Sequence, residues 1–557
     1  MKRNLTALSD STFDVAIVGA GIYGAAIAWD ASLRGLSVAL IDKGDFCGAT
    51  SANSLKTIHG GLRYLQNLDV KRMRESIRER RTYLSIAPHL VHPLTCVMPT
   101  YGHAMKGIEA LFAGLLLNDV ISFDRNRLDD PQKRIPSGRI VSKSTCLKRI
   151  PGISGDRITG GAEWTDAQVY NSERFVLAMI QSAAAKGAVA ANYVACRSLI
   201  RQGGRVTGVR AEDALTGDTF AIRAKLVVNA AGGWIDQVLS ENGKPSSELM
   251  LSTAMNLVVE RTLLPGGAAG FSAPFVHTRE DGSQHRGSRV LFASNWRGHT
   301  IVGTFHKLYD GSPDDLTVSE AEVQQALDEI NGAWIHDPIQ LDEVTFVQKG
   351  LLPAAGIHPK TGEVNLAKHY RIIDHARDNG PQGLLSVVGV KYTTARDVAE
   401  KVVNLVFRKM GKTPPSCATS ATRLAGGEIA RFDAFFSEVL QTNSHGLGPD
   451  VLRHLALTYG SDYPRILTYG SSDPALLKLV PGSNEVIRAE VVHAVRNESA
   501  QTLADVIFRR TDLGSARCPP DETLSFCAES MSRELGWKPG RVSEEINTVK
   551  SRYRIVC

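Results

Sequence analysis

Two apolar runs open the chain, Phe13 to Val18 (broken only by Asp14) and Val38 to Ile41, with a turn of small residues and an alanine-rich stretch between them. Runs of that kind predict strands buried on both faces, and the stretch from Ile22 to about Leu33 predicts a helix packed against them. Charge spacing predicts a further helix from Val70 to Ala87. Later, Arg174 to Lys186 reads as helix, Val189 to Val194 as extended chain, and Gly203 to Arg210 as a hairpin strand. Ala221 to Trp234 is an apolar strand entering a small-residue turn. Between about residues 250 and 360 the runs become β-type, as in Met255 to Val259 and Thr300 to Thr304, which predicts an antiparallel sheet. Gly383 to Arg396 reads as strand, turn and helix start, with the helix continuing to Met410. Gly411 to Ser420 is turn-rich and unperiodic, a linker. Beyond about residue 425 the pattern is helical, including Ala489 to Arg496 and Thr502 to Arg510.

The predicted fold class is therefore α/β. A doubly wound, Rossmann-type nucleotide domain occupies residues 13–420 and is split by a β-rich insert at about 250–360. A helical accessory domain follows at 425–557. At 557 residues the chain exceeds one ordinary core, which agrees with this division. Its 43% hydrophobic and 22% charged residues describe a globular protein.

A net charge of +6 suits an anionic substrate or an acidic membrane surface. Aromatics are not interleaved with Lys and Arg, so a nucleic-acid partner is not expected. The basic stretch from Lys71 to Arg81 contains interspersed acids and reads first as a solvated helix face. The eight cysteines are scattered without a Cys-x-x-Cys pair, so neither a metal site nor a dithiol centre is expected. Scattered thiols and a start without an apolar signal core point to the cytoplasmic side. The apolar segment Ile108 to Leu117, with Lys106 before it and Asn118-Asp119 after, is too short to cross a bilayer. It suits either a core helix or an interfacial one.

The turn between the first two strands is Gly19-x-Gly21-x-x-Gly24, and Asp42 follows 18 residues after Gly24. Gly19 permits the tight turn, Gly21 lets backbone approach a pyrophosphate, and Gly24 lets helix pack on strand. The helix N-terminus adds free N–H groups and partial positive charge. Asp42 stands where a carboxylate hydrogen-bonds a ribose hydroxyl. A bound dinucleotide is the expectation. Segments returning late to this domain favour FAD over NAD, because a long cofactor needs distant contacts.

Ala49 to Leu65, containing His59-Gly-Gly-Leu-Arg63-Tyr64, Val228-Asn-Ala-Ala-Gly232-Gly-Trp234 and Ser386 to Arg396, containing Gly389-Val-Lys391-Tyr-Thr393-Thr394, carry a resemblance. With the helical tail around Arg496 to Thr511, the chain resembles the flavin-dependent glycerol-3-phosphate dehydrogenase/oxidase family over nearly its whole length. The resemblance implies non-covalent FAD and oxidation of sn-glycerol 3-phosphate to dihydroxyacetone phosphate by hydride transfer to the flavin. It also implies electron delivery to a quinone, or to oxygen in oxidase members, with peripheral membrane contact. A homodimer is a further expectation, with no residue assigned to it.

The resemblance implies roles by residue. His59 is the base or hydroxyl-orienting group, Arg63 the anion-binding fork, and Lys391 the substrate-side cation. Tyr64 and His306 complete the expected substrate contacts. Thr50, Ser51 and Ser54 are expected at the pyrophosphate or ribityl chain, and Gly389, Thr393 and Thr394 at the flavin. Val194 and Gly232 complete the cofactor set.

Departures from the family pattern fall on the expected substrate wall. A Gly-Val-Arg-Pro pattern becomes Gly350-Leu351-Leu352-Pro353, so Leu352 replaces an arginine. Gly-Thr-Thr-Asp becomes Gly303-Thr304-Phe305-His306, and Lys-Gly-Ser-His becomes Thr253-Ala254-Met255-Asn256. Either another cation (His306, Lys349 or His358) holds the phosphate, or the substrate is another polyol phosphate or an unphosphorylated hydroxy or amino compound.

Overall fold

The computed structural model describes residues 1–102, 107–240, 249–278, 284–359, 361–443 and 445–555. After α1 (Leu5–Asp10), the expected unit appears as β1 (Thr12–Val18), α2 (Ile22–Leu33) and β2 (Val38–Ile41), with β1 and β2 parallel. Gly24 packs so closely on the Gly19 carbonyl that a Cβ there would overlap it, and Gly19 itself turns at φ +100°.

The chain then crosses to a second sheet through β3 (Thr57–Ile58), α3 (Val70–Ile86), β4 (Val91–Tyr101), α4 (Ile108–Ile121), β5 (Arg139–Val141), α5 (Lys143–Arg149) and β6 (Ile158–Val169). It returns through α6 (Ser172–Ala184), β7 (Val189–Ala191), the ribbon β8 (Val194–Gln202) and β9 (Arg205–Asp213), then β10 (Thr219–Asn229) and α7 (Ile235–Leu239). Four long strands follow: β11 (Leu251–Val259), β12 (Ala268–Thr278), β13 (Gln284–Trp296) and β14 (His299–Tyr309). Next come α8 (Glu320–Asn331), β15 (Val344–Ile357) and β16 (Val364–Leu366), then β17 (Arg371–Asp374), β18 (Leu384–Val388) and α9 (Ala395–Lys409).

The first sheet runs β17-β18-β10-β1-β2-β7, with β10, β18, β1, β2 and β7 mutually parallel and the β8–β9 ribbon on β10. Helices α2, α6 and α9 cover one face around a core that includes Ile17, Trp29, Phe175 and Val402. The second sheet runs β16-β15-β11-β14-β13-β12-β4-β6-β3, with β5 on β6. It is not confined to residues 250–360, because β3 to β6 supply almost half its width. Periodicity missed them because Val91–Tyr101 and Ile158–Val169 mix apolar and polar residues on both faces. Helix α8 packs on the far face, where Phe271, Leu257, Val302, Leu327 and Trp334 form a second core.

The remainder is helical: α10 (Phe432–Gln441), α11 (Pro449–Tyr459), α12 (Pro464–Leu467), α13 (Tyr469–Ser472), α14 (Arg488–Glu498), α15 (Leu503–Asp505), α16 (Asp521–Leu535) and α17 (Arg541–Ser551). Buried ion pairs clamp it to the nucleotide domain. Asp45, just after β2, accepts from Arg510 through both oxygens at 2.8 Å and pairs with Arg509. Arg174 of α6 donates to Glu498 at 2.6 Å. Removing one partner of such a pair strands a buried charge, at a cost of about 3–5 kcal/mol.

Helix α3 corrects the solvated-face reading of residues 71–81. Glu75, Glu79 and Arg80 are buried, and Arg74 and Arg81 both pair with Asp124. Only part of the face meets water.

Candidate active site

The glycine turn sits at the C-terminal ends of β1 and β10, where the N-terminus of α2 points outward. Ser51 Oγ accepts from Ile22 N–H at 3.0 Å and stands over Gly21. Asp42 closes β2 and accepts from Ala20 N–H at 2.7 Å and Gly44 N–H at 3.0 Å. Burial raises its carboxyl to about 6, partly opposed by those two backbone donors. Val194 is buried beside it, its N–H donating to the Asp42 carbonyl at 2.7 Å. Gly232 lies in the turn that leaves β10 beside Gly19.

The opposite wall is one face of the second sheet. Phe292, Gly303, Asn256 and Gln348 form a row across β13, β14, β11 and β15. His306, Ala254 and Gly350 form the next row, and Leu308, Ser252 and Leu352 the one beyond. Thr50 packs on Gly350, which brings the loop after β2 against this face. The four departures from the family pattern, Thr253, Asn256, His306 and Leu352, are therefore neighbours on three adjacent strands.

The residues fit FAD. The glycine turn, the Asp42 carboxylate and the α2 N–H groups form a cradle for an ADP half. On the facing wall, Gln348 is buried with its Oε1 unpartnered, an acceptor waiting for a polar ring.

Between turn and wall lie the residues expected to carry chemistry. His59 follows β3, its side chain 48% exposed, with its ring edge against Phe292 at 6.0 Å. Its Nδ1 is 3.2 Å from Asp166 Oδ2. Asp166, on β6, also accepts from Gly60 N–H at 2.7 Å, Arg80 at 2.7 Å and Trp164 Nε1–H at 3.2 Å. Burial opposes its ionisation, but His59, Arg80 and the Gly60 amide together hold its carboxyl well below the usual range. His59 Nδ1 thus faces a carboxylate and its Nε2 is left for a ligand.

Arg63 is exposed and has no ion-pair or hydrogen-bond partner among the described residues. Lys391 Nζ lies 3.7 Å above the Tyr64 ring. Burial first, and the nearby Arg63 second, lower its pKa to about 8. His306 Nδ1–H donates to the Thr253 carbonyl, 3.1 Å away, which leaves Nε2 the acceptor in the neutral ring. Its pKa is lowered chiefly by burial, with Arg289 and Arg63 also lowering it and the Thr253 bond opposing. Arg63, Lys391 and His306 thus converge on one space without a carboxylate to neutralise them.

Tyr23, on α2, is a residue that the pattern did not single out. Its hydroxyl donates to the Lys391 carbonyl at 2.7 Å and accepts from Val390 and Lys391 N–H at 3.2 Å each. Its ring occupies the space a Cβ at Gly389 would need, so this turn requires glycine. Thr393 and Thr394 are buried at the start of α9 directly behind Lys391.

The Thr50 hydroxyl accepts from Leu351 N–H at 2.9 Å and donates to its carbonyl at 3.1 Å. Ser54 Oγ accepts from Lys56 N–H at 3.3 Å, and its proton is left to donate. Both hydroxyls also hold the loop. Of the three cations offered in place of Leu352, only His306 lies near Arg63. His358 Nδ1 accepts from Thr361 N–H within its own turn, and Lys349 feels Arg552 of the C-terminal helices.

Helix α4 buries Leu115 and half-buries Leu111 against β6 but leaves an apolar side open. Phe112, Leu116, Leu117, Val120 and the following Phe123 are exposed, Val120 and Phe123 by 71% each. Arg74 and Arg127 stand over the Phe123 ring at 5.0 and 5.9 Å. Lys106 lies outside the described residues. No helix among the described residues is long and apolar enough to cross a membrane.

A Rossmann-type domain facing a sheet that is antiparallel except for the parallel β12–β4 pair, with a histidine, an arginine and a lysine between them, matches the class of FAD-dependent oxidoreductases. The family described as FAD dependent oxidoreductase matches residues 14–390, and the C-terminal domain of alpha-glycerophosphate oxidase matches residues 417–542. Glycerol-3-phosphate dehydrogenase of Synechocystis sp. is 30% identical over 98% of this chain and 97% of its own length. The human mitochondrial glycerol-3-phosphate dehydrogenase is also 30% identical, over 98% of this chain and 74% of its own. A crystal structure of the Bacillus halodurans glycerol-3-phosphate dehydrogenase with FAD superposes with a TM-score of 0.73 at 25% identity, covering 99% of this chain and 96% of that one. The chain belongs to the FAD-dependent glycerol-3-phosphate dehydrogenase family.

Proposed function

We propose that the protein oxidises sn-glycerol 3-phosphate to dihydroxyacetone phosphate and delivers the electrons to a membrane quinone. The observation that carries this is the convergence of Arg63, Lys391 and His306, unneutralised, beside a histidine whose Nδ1 faces a buried carboxylate. The relatives' names support this substrate over another polyol phosphate or an amine.

Arg63 grips the phosphate through its planar fork of donors. Lys391, on the Tyr64 ring, faces the hydroxyl end and stabilises charge that develops on its oxygen. His306 lies on the wall where Leu352 replaces the arginine, and its Nε2 donates to the phosphate only when the ring is protonated, because Nδ1–H is held by the Thr253 carbonyl. His59 Nε2 accepts the C2 hydroxyl proton, and Asp166 carries the balancing charge on the Nδ1 side. Bound FAD would supply the two-electron oxidant for the C2 hydride. Gly19, Gly21, Gly24, Asp42 and Ser51 would hold its ADP half, Val194 and Gly232 would line that half, and Gly389, Thr393 and Thr394 would border its ring. FAD is held non-covalently, so acid precipitation releases it to the supernatant.

The open side of α4 docks on the cytoplasmic leaflet, its apolar residues in the interface and the exposed Arg127 at anionic headgroups. The test is steady-state turnover with sn-glycerol 3-phosphate and a short-chain quinone, with dihydroxyacetone phosphate measured as product. Stoichiometric product supports the assignment. Quinone reduction driven only by an unphosphorylated or amino substrate overturns it.

A further inference from the structure

Lys56 stands between the loop 49–54 and His59, and its side chain is 0% exposed. Its carbonyl accepts from Val169 N–H at 2.7 Å, and its backbone is left-handed at φ +58°, a conformation uncommon away from glycine. With no exposed surface the ammonium does not reach the space that Arg63 and Lys391 share, and no step assigned to the site uses it.

An ammonium has three protons, and here each has an acceptor. Nζ donates to the Ala52 carbonyl at 2.6 Å, to Ser172 Oγ at 2.8 Å and to the Glu173 carboxylate, 3.0 Å from either oxygen. It also lies 5.2 Å from the centre of the Trp296 ring. Ala52 is next to Ser51, whose hydroxyl takes Ile22 N–H at the glycine turn. Ser172 and Glu173 open α6, and Ser172 Oγ donates its own proton to Glu173 Oε2 at 3.0 Å.

The start of α6 is itself held from two sides. Asn171 caps it, Oδ1 accepting from Glu173 N–H at 3.1 Å and Arg174 N–H at 3.2 Å. The Asn171 amide donates in turn to Asp512 Oδ1 of the C-terminal domain at 2.8 Å. From the other side, the Tyr392 hydroxyl donates to the Ser172 carbonyl at 3.0 Å, and Tyr392 directly follows Lys391. One buried ammonium thus joins the loop beside the glycine turn to the helix end that also holds the Lys391 turn. His59 lies three residues further along the same segment.

Stability does not account for an ion pair at this place. Two charges taken out of water regain little net energy, and apolar side chains of similar volume often hold a fold as well. What the ammonium adds is direction, because only a charged donor selects a carbonyl, a hydroxyl and a carboxylate at once.

We propose, resting on the assignment of His59 and Lys391 to the oxidation site, that Lys56 is a positioning residue acting through Ala52, Ser172 and Glu173. It sets the distance between the 49–54 loop, beside the cofactor cradle, and the Lys391 turn, which faces substrate. Its loss shows in the rate of hydride transfer and not in substrate affinity, since misplacing reacting groups by about 1 Å costs up to about a hundredfold in rate.

The test uses the FAD-loaded protein with Lys56→Met and Glu173→Gln combined, which removes both charges and strands neither. FAD content and melting temperature stay near those of the wild type. In anaerobic stopped flow with sn-glycerol 3-phosphate, the limiting rate of flavin bleaching falls about tenfold or more, while the half-saturating substrate concentration changes less than about threefold. The visible circular dichroism of the oxidised, substrate-free flavin changes shape, which reads the loop without any turnover. Tyr392→Phe deletes only the hydroxyl on Ser172 and decides the matter if the double variant does not fold; its limiting rate falls about threefold or more with FAD retained. A limiting rate within about twofold of wild type in a folded, FAD-loaded variant overturns the proposal, and so does a rate loss matched by an equal loss of substrate affinity. If sn-glycerol 3-phosphate leaves the wild-type flavin oxidised, the substrate assignment falls by itself, and an unchanged dichroism spectrum in the variant then overturns the positioning role.

Discussion

Asp166→Asn is the most revealing single change in the active site. Two donors meet Oδ1, Gly60 N–H and Arg80, both at 2.7 Å, and Arg80 is further fixed by donating to the Thr165 carbonyl at 2.8 Å. They hold the asparagine oxygen on their side and turn its amide nitrogen toward His59 and Trp164. A donor then meets His59 Nδ1, and the neutral imidazole moves its proton to Nε2, where it cannot accept one from substrate. Loss of one charge-assisted bond is worth about 1.5–3 kcal/mol, or about one to two decades in rate. The tautomer change acts in the same direction. The assay is anaerobic stopped-flow reduction of the flavin by sn-glycerol 3-phosphate across pH 6–9, with FAD content and melting temperature as controls. A rate within about twofold of wild type in a folded, FAD-loaded variant would refute the assignment of Asp166 as the positioning residue and of His59 as base.

Below about pH 8 the Lys391 ammonium is charged, and it is lost as pH rises through that value. KM for the anionic substrate should therefore climb above about pH 8. In Arg63→Met the inflection should move upward, because Arg63 is part of what depresses Lys391, and KM should rise by about one to two decades with FAD retained. Tyr23→Phe leaves Val390 and Lys391 N–H without their acceptor. It should lower kcat/KM about tenfold and shift the alkaline inflection while leaving FAD content unchanged. Val120→Asp with Phe123→Asp should abolish co-sedimentation with anionic vesicles while turnover with a water-soluble acceptor stays constant. Loss of both would mean that this face supports the fold instead.

The nucleotide domain was legible because its strands are buried on both faces and its glycines answer to contacts visible in the pattern. β1, α2, β2, β10 and β18 fall where the apolar runs place them. The second sheet was half legible. Strands β4 and β6 carry inward polar residues such as Asp166, and these erase the alternation that would have revealed them. Asp166 was within reach of the sequence in one respect, since a lone carboxylate inside Trp164-Thr-Asp166-Ala-Gln is costly to bury unpartnered. Nothing local, however, ties it to His59, 107 residues away. Tyr23 escaped for the same reason, since its partners lie 367 and 368 residues on. The arginines of α3 misled because their carboxylate partner, Asp124, comes from another element. Thr50 and Ser54 carry a loop-holding role that their sequence context did not reveal, because the Thr50 partner, Leu351, lies 301 residues on.

The central claim is that two cations, Arg63 and Lys391, together with His306 and a carboxylate-backed His59 form a glycerol 3-phosphate oxidation site despite Leu352. Anaerobic mixing of the purified FAD-loaded protein with sn-glycerol 3-phosphate, followed at the oxidised flavin band, tests it most directly. Rapid, complete bleaching with one dihydroxyacetone phosphate formed per flavin is the predicted result. No bleaching by sn-glycerol 3-phosphate, with bleaching by another hydroxy or amino compound, would contradict the account.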